Sequence, residues 1–104
     1  MSHPDTGQEL QRDLETESDA ITEPLWRVII HNDDVTPMDF VIAILMRIFK
    51  HPLIIAEAIM LEAHQHGLAH VATLPRSEAQ RRVAQAHFAA TLEGYPLHFT
   101  LEPA

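Results

Sequence analysis

Three consecutive residues, Asn32-Asp33-Asp34, place an amide and two carboxylates directly after an apolar run that ends in His31. A second chemistry-bearing group, His64 and His66, lies about thirty residues on. Carboxylate, amide oxygen and neutral imidazole nitrogen are all acceptors, and together they suit the three N–H bonds of an ammonium, where charge-assisted bonds are roughly twice as strong as neutral ones. A simpler use competes with this one. Asn and Asp hydrogen-bond their own backbone and turn chains without binding anything.

Two other chemistries fit less well. A calcium loop counted from Asn32 lacks the glycine at its sixth position and the glutamate at its twelfth. His64 and His66 are two apart, whereas a helical two-histidine metal site needs four, and Gly67 interrupts the four-residue spacing of His66 and His70. With no cysteine there is no thiolate nucleophile and no cysteine-ligated zinc. No serine elbow or glycine-rich phosphate loop is present, and the Asp and His residues have no nucleophile beside them, so no enzyme, cofactor or metal is expected.

The elements that must position these groups follow from periodicity. Leu25 to His31 is β-branched and aromatic and predicts a strand. Thr36-Pro37-Met38-Asp39 predicts a helix start, with Thr36 as N-cap, Pro37 at the first helical position and Asp39 completing a capping-box-like exchange; the helix runs to about Phe49. Pro52 opens a second helix that Gly67 ends, and Leu68 to Leu74 is a second strand. Pro75 or Ser77 begins a third helix with a core stripe of Ala79, Val83, Ala86 and Ala90, closing near Gly94; Leu97 to Leu101 is the last strand. The order βααβαβ predicts an α+β two-layer sandwich, a three-stranded, mostly antiparallel sheet covered by three helices. A hairpin of the first two helices brings Met38, Val41, Met60 and Ala63 beside His64 and the acceptors, although each alone reads as ordinary core.

Charge bounds the partners. Residues 1–23 hold seven acids against Arg12 alone and too few large apolar side chains to offset ordering, so they are expected to form a flexible acidic extension to a domain of residues 24–104. That domain has eight acids and six bases, and its only basic cluster, Arg76, Arg81 and Arg82, is a poor footprint for nucleic acid. No apolar run approaches the roughly 18 residues of a membrane span, and the N-terminus is unlike a signal peptide, which points to the cytoplasm; a monomer is expected.

The run Asn32-Asp33-Asp34-x-Thr36-Pro37-Met38-x-Phe40-Val41, then Met60-x-x-Ala63-His64-x-x-Gly67, then Pro96-Leu97-x-x-Thr100-Leu101, resembles the ClpS family, adaptors of the ClpAP protease. The resemblance covers Leu25 to about Glu102. It implies binding of proteins whose first residue is bulky and apolar (Leu, Phe, Tyr or Trp) and their delivery to the ClpA unfoldase. It further implies that Asn32, Asp33 and His64 hold the α-ammonium. Asp34, Thr36, Met38, Val41, Met60, Ala63 and Leu97 then line the side-chain pocket. Ala63 stands where many relatives have valine. At the start of the third helix, where the family shows Glu-x-Ala-Glu-x-Lys, this chain reads Ser77-Glu78-Ala79-Gln80-Arg81-Arg82, which puts Ser77, Gln80 and Arg82 on the surface implied to dock the unfoldase. The alternative expectation is a protein-interaction module of the same fold, like the ribosomal stalk C-terminal domain, with no end-group pocket.

Overall fold

The computed structural model describes residues 23–104, so all of the expected extension except Glu23 lies outside the described residues. Strand β1, Leu25–His31, leads through the HNDD loop into helix α1, Met38–Arg47. Helix α2, Leu53–His66, turns straight into β2, Leu68–Pro75. Helix α3, Arg76–Glu93, and β3, His98–Pro103, complete the order. The three-stranded sheet predicted from the sequence as mostly antiparallel is antiparallel throughout, in the order β2-β1-β3.

Val28 and Ile30 of β1 and Phe99 of β3 bury one sheet face against the helices, with Leu45 of α1 and Ala56 and Ala63 of α2. The alanines of α3, Ala79, Ala86 and Ala90, are essentially inaccessible, and their small side chains let the helix backbone lie close to the sheet. Burying a side chain of Ile, Leu or Phe size contributes roughly 1.5–3 kcal/mol, so this seam supplies most of the stability. Two glycines end helices as expected: Gly67 (φ 88°) after α2 and Gly94 (φ 75°) after α3 hold the left-handed conformation that costs a Cβ-bearing residue.

One expectation changes at the start of α1. Pro37, not Thr36, occupies the N-cap, no side chain caps the helix, and Asp39 accepts from the adjacent Phe40 N–H instead of closing a box. Thr36 is drawn away because its hydroxyl donates to Asp33 at 2.9 Å. At the far end, α1 stops at Arg47, short of Phe49, and Lys50 takes a positive φ of 63° in the turn towards α2.

The edge strand β3 is closed in one place by a side chain. His87 of α3 accepts the Phe99 N–H through Nε2 at 3.0 Å, and its ring stacks on His98. Burial, with the charge of His98 adding to it, pushes the His87 imidazole below its usual range.

Candidate functional site

The HNDD loop is built around one carboxylate. Asp33 accepts from the Val35 N–H at 2.9 Å, the Thr36 N–H at 2.6 Å and the Thr36 hydroxyl at 2.9 Å, folding the loop over itself between β1 and α1. Burial works against ionisation of Asp33, but the hydrogen bonds from Thr36 and Val35 outweigh it and hold the carboxyl below the ordinary aspartate range. Its negative charge is thus secured near neutral pH. A backbone bond fixes the loop to the rest of the fold: the Asn32 N–H donates to the Gly67 carbonyl at 2.9 Å. This contact sets the end of β1 against the end of α2, one turn from His64.

Beside the loop lies a cavity of about 290 Å³. Asn32, Asp33, Asp34 and Thr36 come to it from the loop, Met38 and Val41 from α1, Met60, Ala63 and His64 from α2, and Leu97 from the approach to β3. All ten residues singled out in the sequence for the ammonium and the side-chain pocket therefore border one hollow. Its floor is apolar and fixed, since Ala63 is 3% exposed, Leu97 5% and Val41 9%. Met38, 49% exposed, stands at the open side, and Met60 is half-buried. Asn32, Asp34 and His64 are exposed, so the polar groups mark the mouth.

Four lining residues were not singled out: Ile30, His31, Val35 and Pro37. Alternation along β1 carries the signal for Ile30, which follows Val28 on the inward face. Val35, 65% exposed, gives no sign of its place before the loop is folded.

Ser77, Gln80 and Arg82 do not join the cavity. They lie at the start of α3, where Ser77 donates through N–H and hydroxyl to the Glu23 carboxylate at 2.9 and 2.8 Å. Gln80 is exposed. Arg82 turns inward, pairing with Glu78 at 3.1 Å and donating to the Ile48 carbonyl at 3.3 Å.

Among the described residues no group of three or more His, Asp or Glu side chains is arranged to hold a metal ion, and no helix is long and apolar enough to cross a membrane. What the cavity can do is accept a small cationic group at its mouth and an apolar group within.

Residues 21–100 match the family model described as ATP-dependent Clp protease adaptor protein ClpS. A ClpS adapter protein of Nitratidesulfovibrio vulgaris strain Miyazaki F is 39% identical over 95% of this chain and 97% of its own. One from Desulfotalea psychrophila is 42% identical over 88% and 92%. Among solved structures, Agrobacterium tumefaciens ClpS2 bound to L-phenylalaninamide superposes with a TM-score of 0.75 at 33% identity, covering 78% of this chain and 98% of that one. With the family model spanning the folded part and relatives matching nearly end to end, the chain belongs to the ClpS family and is an adaptor of the ATP-dependent Clp protease, not an enzyme.

Proposed function

We propose that the cavity binds the free N-terminal residue of proteins beginning with Leu, Phe, Tyr or Trp, and that the chain delivers them in the cytoplasm to a ClpA-type unfoldase. The observation that carries this reading is the convergence of mouth acceptors and apolar floor in one hollow. In it Asn32, Asp33 and His64 take the α-ammonium and the first peptide group. Asp34, Thr36, Met38, Val41, Met60, Ala63 and Leu97 surround the first side chain.

The chemistry explains the selectivity. A free α-amine has a pKa of about 7.7–8.0 and is mostly protonated at neutral pH, whereas an internal peptide nitrogen or an acetylated terminus carries no charge. Burying a Leu or Phe side chain gains roughly 1.5–3 kcal/mol, too little alone for useful affinity, so charge and side chain must be read together. A β-branched first residue has its bulk beside the backbone and collides at the mouth, while Met38 can shift to admit a ring. The phenylalaninamide carried by the Agrobacterium relative has the two features the cavity is suited to, a free amine and an apolar side chain.

The test is a titration of a peptide beginning with Leu or Phe against its N-acetylated twin. The expected result is saturable 1:1 binding of the free peptide and loss of it on acetylation; equal binding of both, or of neither, overturns the reading. Ser77, Gln80 and Arg82 are assigned to unfoldase docking because their segment resembles the family's docking surface, with Arg82 acting chiefly by holding Glu78 and the end of α1 in place.

A further inference from the structure

Thr100 belongs to the motif Pro96-Leu97-x-x-Thr100-Leu101 but does not border the cavity, so the proposed peptide site gives it no task. Its side chain lies on the sheet face away from the core. Val28 and Ile30 of β1 point inward, so Arg27, Ile29 and His31 alternate outward. In the β1–β3 register Thr100 stands opposite Ile29, and His98 opposite His31. Thr100 is therefore the diagonal neighbour of His31, a separation of roughly 7–8 Å that an aromatic side chain can bridge. The bridge is made: His31 Nε2 and the Thr100 hydroxyl are 2.7 Å apart in a part-buried position.

The place of this bond matters more than its strength. His31 is the last residue of β1 to pair with either neighbour, Leu68 of β2 on one side and His98 of β3 on the other, and the chain leaves the sheet at Asn32. On the β2 side the exit is tied by the Asn32 N–H, which donates to the Gly67 carbonyl. On the β3 side the tie is the His31–Thr100 bond. The His31 ring is also flanked by that of His98, centres 5.5 Å apart, which lies parallel to the His87 ring at 5.6 Å. His31 borders the cavity, and Leu97, next to His98, belongs to the buried floor. Releasing His31 from Thr100 thus loosens the strand end that carries Asn32 and Asp33 relative to that floor. A hydroxyl both donates and accepts, so the bond forms with either neutral tautomer of the imidazole.

We infer that Thr100 is a positioning residue for the peptide site, acting through His31 to hold Asn32 and Asp33 over the apolar floor. This rests on the reading that the cavity takes a free N-terminal residue, but on no contact between Thr100 and the peptide. Charge-assisted hydrogen bonds are directional, so a looser exit weakens the amine contacts while the apolar floor keeps its shape. Affinity falls, and the ranking among first residues stays.

Thr100→Val keeps the β-branched shape and removes the hydroxyl, and Thr100→Ser restores it. The expected result for Thr100→Val is binding of Leu- and Phe-initiated peptides about fivefold weaker, the size of one lost hydrogen bond, with the order of preference among Leu, Phe, Tyr and Trp unchanged. Thr100→Ser recovers most of the affinity. Combined with His31→Phe, Thr100→Val adds little further loss. Affinity of Thr100→Val within twofold of the unaltered protein, or additive losses in the pair, overturns the inference. Amide hydrogen exchange gives a readout without peptide: the Asn32 N–H should exchange faster in Thr100→Val while amides in the middle of β1 keep their rates. An unchanged Asn32 rate, or a uniform rise across the sheet that marks general destabilisation, also overturns it. Failure of the unaltered protein to bind an N-terminal peptide removes the functional reading and this role together, whereas equal binding by the unaltered protein and Thr100→Val removes this role alone.

Discussion

Asp33 has one observed task, folding the loop, and one proposed task, holding the ammonium, and replacing it with Asn and with Ala tells them apart. Its carboxylate accepts three hydrogen bonds within the loop and faces the cavity mouth with a secured negative charge. Asn keeps one acceptor oxygen in nearly the same place, enough for the Thr36 N–H, and removes the charge. Unit charges 4 Å apart interact by about 4 kcal/mol at an effective dielectric of 20 and by about 1 kcal/mol in bulk water. Because Asp33 is only half-buried, a value near 2 kcal/mol is appropriate, or roughly a thirtyfold loss of affinity for a free N-terminal peptide. The loop cost of Asp33→Asn is about 1 kcal/mol, a fall in Tm of about 4–8 °C for a domain this size. Asp33→Ala loses the charge and all three bonds, so it binds no better and melts lower. Fluorescence anisotropy with Leu- and Phe-initiated peptides gives the affinities and calorimetry the stability. Should Asp33→Asn bind like the unaltered protein while Asp33→Ala does not, the carboxylate serves only to fold the loop and its assignment to the ammonium is wrong.

Ala63→Val adds two methyl groups to a floor residue that is 3% exposed; Leu-initiated peptides should bind within a few-fold of before while Trp-initiated ones lose about tenfold, in competition titrations. Gly67→Ala meets no neighbouring atom but strains the backbone at φ 88°, and should cost about 1–2 kcal/mol by thermal melting and weaken peptide binding through the Asn32 contact. His87 is held neutral in the fold, so the unfolded chain binds more protons once pH falls below the ordinary histidine value of about 6.5. Stability from this group is therefore complete above that pH and declines as pH falls towards the depressed folded value. His87→Gln, which can still accept the Phe99 N–H, should flatten that part of a denaturation-versus-pH profile; an unchanged slope removes His87 as its source.

The element order and both helix-ending glycines were legible because each rests on local chemistry: β-branched runs, prolines at helix starts, and left-handed positions that Gly67 and Gly94 alone fill cheaply. The stripe Ala79, Val83, Ala86 and Ala90 was legible because helical spacing alone defines a face. The cap of α1 was misread because the competitor for Thr36, the Asp33 carboxylate, lies outside the helix and wins only when the loop folds. Glu23 as the cap of α3 could not be foreseen, since its partner is 54 residues away. Asn32, Asp33, Asp34 and His64 were legible as acceptors and a hairpin of the first two helices set Met38, Val41, Met60 and Ala63 beside them, although each alone reads as core; Thr36 and Leu97 were named for the pocket only through the family resemblance. Val35 and His31 were missed because neither apolar pattern nor motif distinguishes a rim residue from any loop or strand end.

A protein that works beside a protease spends its time among partly unfolded chains, which look for unpaired strands to join. The sheet ends on one side in β3, and His87 already occupies its Phe99 amide, so a stray extended segment cannot zip on there without first evicting an imidazole. Seen this way, a residue far from the cavity helps keep the adaptor from becoming a binding partner in the wrong place.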